Sequence, residues 1–215
     1  MMLTPIPPER LPEVLRHFRD SLVDALARRV LDAIASTSPE RAEGALAETH
    51  RQQALALARR FGMGIVEGSL GRGFSWDGER LSADTEAFVL VHEVAHFQLA
   101  SPARRRVVDF GLGAGPDTLE RAAAERAVVL TEIAREREEA MVSLLGVLRE
   151  AALGHPALAS FLDHNWLEGA GATRAAAHFT TVLHALRAGG FVDPAGEPTS
   201  QIRREPDAPR ELLAA

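Results

Sequence analysis

The chain has 215 residues, a formal net charge of −6, 46% apolar residues and no cysteine. The length suits one main domain with a sizeable core, and the charge argues against a broad nucleic-acid surface, which needs many cations facing phosphate. Without thiols there are no disulfides, thiolate ligands or cysteine nucleophiles, so any transition metal must be held by imidazole and carboxylate. No apolar run approaches the ~20 residues of a membrane span. The opening stretch lacks the basic start and apolar block of a secretory signal, and a cytoplasmic protein is expected.

Residues 9–35 place Leu11, Val14, Leu15, Phe18, Leu22, Leu26, Val30 and Ile34 at steps of three and four, which predicts one amphipathic helix. Ser38 and Pro39 are expected to cap and start a second helix running to about Phe61. Between Gly62 and Ala83 short β-branched and aromatic runs are punctuated by glycines and by Asp77-Gly78, which predicts one or two short strands or a hairpin. Asp84 is the expected N-cap of the next helix. The segment 109–118 is a glycine-rich loop with no strand leading into it, so neither a kinase triplet nor a nucleotide loop is read there. From Pro116 to about Leu153 a long helix is expected, with Asp117 and Glu120 at its start and one break near residues 134–138. Two shorter helices follow, over residues 156–169 and 173–190. The expected organisation is a helical extension at 1–61, a metal-binding domain at 62–193 and a flexible tail at 194–215.

The chemistry is concentrated in the stretch FVLVHEVAHFQLA, residues 88–100. Residues four apart share a helix face, so His92 and His96 can offer two imidazole nitrogens to one ion, with Glu93 one step round. Their neighbours are almost all apolar, and burying titratable groups without partners costs several kcal/mol, which a metal site removes. A third histidine of the extended zinc-protease pattern would fall at position 102, which is Pro102. The third ligand is therefore sought in the run Glu136, Glu138, Glu139. Glu139 shares a face with Val142, Ser143 and Gly146, small residues that allow close helix approach, which ranks it slightly above Glu138. Asp109 is a candidate to hold an imidazole N–H. Arg104–Arg106 is a candidate docking point for an acidic protein partner, and His164 with Trp166 a candidate border of the site. His17 and His50 are expected to face solvent, and His155, at a helix boundary, to be a cap or surface residue.

The segment VHEVAHFQLASPARRRVVDFG, followed by Pro116-Asp117 and a glutamate-bearing helix, resembles the elongation factor P hydroxylase family over roughly residues 85–150. That family carries a similar His-Glu-x-x-His helix, an arginine-rich step, an Asp-Phe-Gly segment and a downstream glutamate. This chain departs from it in having LGAGPDT where the family has aromatic residues and Pro-Asp-Gly-Arg. The resemblance implies iron bound by His92, His96 and Glu139, dioxygen as co-substrate, and hydroxylation of a lysine-type side chain on an elongation factor P-like protein. The same residues also match a zinc metallohydrolase or metallopeptidase with Glu93 as general base, so Fe(II) and Zn(II) both stand open. The fold class expected is α+β, mostly α-helical, with the metal-binding helix packed on a later helix beside a small sheet or hairpin.

Overall fold

The computed structural model describes residues 6–67, 73–115, 118–168 and 173–213. Its helices are α1 (Leu11–Ser21), α2 (Ala25–Ala35), α3 (Gly44–Arg60), α4 (Ala87–Leu99), α5 (Arg121–Arg126), α6 (Glu132–Leu153), α7 (Ala157–Asp163) and α8 (Thr173–Ala188), with strands β1 (Gly64–Val66) and β2 (Arg80–Ser82). Among the described residues the architecture is mostly helical with one small parallel sheet. Internal contact divides the chain into two units, residues 1–42 with 147–199 and residues 43–146 with 200–215, a different partition from the one expected. No helix among the described residues is long and apolar enough to cross a membrane.

In the first unit, the single helix expected over 9–35 is two. Leu22 turns extended, and the Asp24 carboxylate accepts the Ala27 N–H at 2.7 Å to cap α2. A short acidic side chain that can bond backbone two or three residues on offers the chain an alternative to continuing a helix, and here that alternative wins. The apolar spacing survives the break, so Phe18, Leu22, Leu26, Val30 and Ile34 are all buried. Phe18, Phe161 and Phe179 meet edge to face, at centroid separations of 5.8–6.1 Å, in the geometry that ring quadrupoles favour.

Ser38 does not cap α3, which begins at Gly44 behind Glu43. Ser38 Oγ instead accepts the Glu40 N–H, and the segment serves α7: Thr37 Oγ1 accepts from Leu158 N at 2.8 Å and the Ser38 carbonyl from Ala159 N. Arg41 then donates to Asp163 Oδ2 at 2.7 Å, to Ser160 Oγ at 2.8 Å and to Glu150 Oε1 at 3.4 Å, while the Ser160 hydroxyl donates to Glu150 Oε2.

In the second unit, β1 and β2 pair in parallel, with Gly64 opposite Arg80 and Val66 opposite Ser82, rather than as the two arms of a hairpin. Asp77-Gly78 does form a tight turn. Asp77 Oδ1 accepts from the N–H groups of Glu79 and Arg80, Gly78 sits at φ +97°, and Trp76 bridges Leu81 across it. Asp84 is not the cap of α4. The Ala83 N–H still bonds the Val66 carbonyl, so the chain leaves the sheet late and the helix starts only after Glu86.

The long helix expected to Leu153 is interrupted at residues 127–131 instead of 134–138, and its expected cap at Pro116 and Asp117 lies outside the described residues. The interruption has a partner. Thr131 N donates to the Glu211 carbonyl, Leu213 N donates to the Val129 carbonyl, and Leu130 bridges Leu212. The expected flexible tail is thereby corrected over residues 200–213, which are bonded along their length to this unit. Gln98 Nε2 donates to the Gln201 carbonyl at 2.7 Å, and Arg203 N donates to the Gln98 carbonyl at 2.8 Å.

Burial pushes the Glu150 carboxyl up to about 7 from an ordinary 4.5, against the pull of Ser160 and Arg41. A carboxyl that holds its proton more tightly folded than unfolded contributes stability that is full below the unfolded value and is lost as pH rises to the folded one. Stability is expected to fall by up to about 3 kcal/mol between pH 4.5 and 7 through this group. Denaturant titrations across that window, on the native protein and on Glu150→Gln, check it: the substitution should remove this part of the slope.

Candidate metal site

Helix α4 is apolar on nearly every side, and Leu90, Val91, Val94, Ala95 and Leu99 are all buried. His96 is buried with them at 5% exposure, while His92, one turn earlier, is half-buried. Their Nε2 atoms lie 3.1 Å apart and the rings meet edge to face. Glu139 of α6 faces both, with Oε2 at 3.7 Å from His92 Nε2 and Oε1 at 3.5 Å from His96 Nε2.

These separations can be compared with what one ion demands. Nitrogen and oxygen donors about 2.1 Å from a metal, at tetrahedral to octahedral angles, lie roughly 3.0–3.4 Å from one another. The two imidazoles already meet that spacing, and each carboxylate oxygen is within a few tenths of an ångström of it. A charge-assisted hydrogen bond between carboxylate and imidazole would instead close to about 2.7–2.9 Å. The donor set of two imidazoles and a carboxylate fits a first-row divalent ion.

Gly146 explains how α6 comes so near. A Cβ added there would lie 3.6 Å from the His92 Cα, so even a methyl would just touch the α4 backbone, and a longer side chain would have to displace it. Glu93 is half-buried on the turn between the two histidines.

Glu138 and Glu139 go separate ways. About 100° round the helix from Glu139, Glu138 is buried and takes both its bonds from Arg104, with Nη1 at 3.0 Å from Oε1 and Nη2 on Oε2. Burial pushes Glu138 up and the guanidinium draws it back. Arg104 Nε donates to Asp207 Oδ1 at 3.1 Å and Nη1 to the Phe110 carbonyl at 3.1 Å. Burial opposes its charge, but Glu138 and Asp207 outweigh that and hold it above its ordinary value. Arg105 donates to the carbonyls of Ala100 and Arg203 at 2.8 and 3.1 Å and lies over the Phe97 ring. The arginine run expected to dock a partner is thus turned inward at Arg104 and Arg105, and only Arg106 is exposed.

The Asp-Phe-Gly segment works differently from its expected role. Asp109 Oδ1 accepts the Trp76 N–H at 3.2 Å and Oδ2 the Thr118 hydroxyl at 2.7 Å, so the carboxylate secures the loop rather than an imidazole. Burial pushes Asp109 up, and those two donors pull it back. Asp109 and Phe110 both adopt left-handed backbone, φ +42° and +54°, at a cost of about 1–2 kcal/mol each. That conformation inserts the Phe110 ring between Trp76, stacked at 5.4 Å and 6°, and His96, at 5.5 Å and 21°. The phenyl ring is the group missed by the sequence reading, which had treated 109–118 as a loop.

The remaining histidines fall elsewhere. His164 and Trp166 belong to the first unit, where Trp166 stacks on Phe161 and on His178. His17 is exposed as expected; His50 is buried on α3, where a solvent-facing side was expected, and His155 is buried at the boundary between α6 and α7. Comparison of the chain with protein-family models, with curated proteins and with solved structures returns no match.

The two neighbouring glutamates should separate in a stability measurement. Glu138→Ala leaves a buried guanidinium short of one counter-charge and is expected to cost about 3 kcal/mol. Glu139 is half-exposed, and Glu139→Ala should change stability by less than about 1 kcal/mol. Urea unfolding of the two variants in metal-free buffer checks the contrast.

Proposed function

We propose that the chain is a metal-dependent enzyme whose ion is held by His92, His96 and Glu139. On this reading α4 is a metal-binding helix packed on α6. The reaction is hydroxylation of a lysine-type side chain on an elongation factor P-like protein, with Fe(II) and dioxygen. The observation that carries the metal is the convergence of two imidazole Nε2 atoms and one carboxylate at near-coordination spacing. The exposure of Glu139, 49% at its side chain, favours catalysis over a purely structural role, because structural ions are closed off by protein ligands whereas catalytic ions keep positions open. The hydroxylase class rests on the resemblance of residues 85–150.

Bound Fe(II) would supply dioxygen activation, with the coordination positions not taken by protein left to dioxygen and substrate. The rest falls to the chain. His92 and His96 present Nε2 lone pairs, so each must be neutral with its proton on Nδ1. Glu139 contributes one negative charge, which lowers the net charge of a dication site to +1. Phe110, backed by Trp76, covers one face of His96 and keeps water from that side. Glu93 supplies a carboxylate beside His92 that can hold a proton on an Oε atom. In a zinc hydrolase the same group would act as general base.

The test is anaerobic purification followed by metal analysis and dioxygen uptake on Fe(II)-loaded and Zn(II)-loaded protein. One equivalent of metal is expected in the native protein and none in His96→Ala or Glu139→Ala, with uptake only in the iron form in the presence of an elongation factor P-like substrate. Retention of one equivalent by His96→Ala would sink the site. Stoichiometric zinc, peptide or ester hydrolysis lost in Glu93→Gln, and no oxygen consumption with substrate present would move the protein to the hydrolases.

A further inference from the structure

Arg104 is fully buried, and its bonds run to three separate stretches of chain. Two go to Glu138, the residue next to Glu139; one goes to the Phe110 carbonyl, the residue stacked on His96; and one goes to Asp207 in the stretch 200–213. Ser101 ties the cluster back to the end of α4, since its hydroxyl donates to Asp207 Oδ2 at 2.5 Å and accepts the Arg104 N–H. One guanidinium therefore touches the immediate neighbours of two of the three candidate ligands without touching a ligand itself.

Successive helix residues point about 100° apart, so holding Glu138 in one direction fixes the rotation of α6 about its axis and with it the direction of Glu139. Coordination tolerates errors of only about 0.5 Å and 10–20°. Glu139 is half-exposed, and the direction it takes follows from the rotation of the helix that carries it. The bond to the Phe110 carbonyl acts on the other side, because Phe110 lies in strained backbone that needs an outside tie to hold its ring against His96.

Resting on the metal-site reading above, we propose that Arg104, with Glu138 and Asp207, is a positioning residue of the metal centre: it sets the aim of Glu139 and the ring packing of His96. A purely structural ion cluster would lower stability when altered and leave coordination as it was. A positioning cluster alters coordination in protein that is still folded.

Two conservative variants of the full chain separate the two roles. Arg104→Lys keeps the charge but cannot span Glu138, Asp207 and the Phe110 carbonyl with one ammonium. Glu138→Gln keeps the shape and removes the charge. Both are titrated with Co(II), whose visible ligand-field bands report coordination geometry, at a temperature where circular dichroism shows native helix content. Glu150→Gln, about three turns further along α6 and bonded to Arg41 and Ser160 rather than to Arg104, is the control for a buried change on the same helix that leaves the Arg104 cluster intact. The expected result is Co(II) binding about tenfold or more weaker in both variants, with shifted bands, and native affinity and spectrum in the control. Native affinity and bands in either folded variant would overturn the proposal while leaving the metal site intact. Native protein that takes up no Co(II) would overturn the metal-site reading and this inference together.

Discussion

A guanidinium removed from water is the constraint on which the second unit is arranged. An unpaired buried charge costs several kcal/mol, and the only relief is a set of acceptors placed around it in the plane of the fork. Arg104 finds them on α6, on the Asp-Phe-Gly turn and on the stretch 200–213. Those three pieces are far apart in sequence and share no secondary structure. What they share is the need to satisfy one side chain, and in meeting it they take up their order around α4.

The turn at 108–111 shows the same logic in the backbone. Left-handed conformations at two consecutive side-chain-bearing residues persist only where the surroundings over-determine them. Here Asp109 is bonded at both oxygens and Phe110 is held at its carbonyl and on both ring faces. The strain is local. Its product is an aromatic stack that runs from Trp76 through Phe110 to His96.

The sequence made the candidate site legible because the information lay within one helix turn and one face. The four-residue spacing of His92 and His96 is enough to put two imidazoles together, and the small residues at 143 and 146 pointed to the side of α6 that comes near. The choice of Glu139 over Glu138 was only weakly marked, since it depends on Arg104, whose burial no local pattern announces in a run of three arginines. Helices with regular apolar spacing were found, but their ends were misplaced wherever a polar side chain served another element, as with Asp24 and the segment 37–41. The break at 127–131 had a signal in the β-branched run Val128, Val129, Thr131, which favours extended backbone and matches the pairing with residues 211–213. The order of residues 200–213 had none. Proline and charge read as disorder in isolation, and it is the long-range bonds that tie the stretch to the second unit.

That stretch also bears on the sequence of events in folding. Arg104 and Asp207 are 103 residues apart along the chain, with most of the first unit between them. Closing a loop of that length costs about 4 kcal/mol in chain entropy before any contact repays it. Contacts of such separation slow folding and gather late along the route to the native state. During synthesis, residues 43–146 emerge with Arg104 and Glu138 already adjacent but one carboxylate short. The cluster around Arg104 can close only after the intervening 147–199 and the stretch that carries Asp207 have been made.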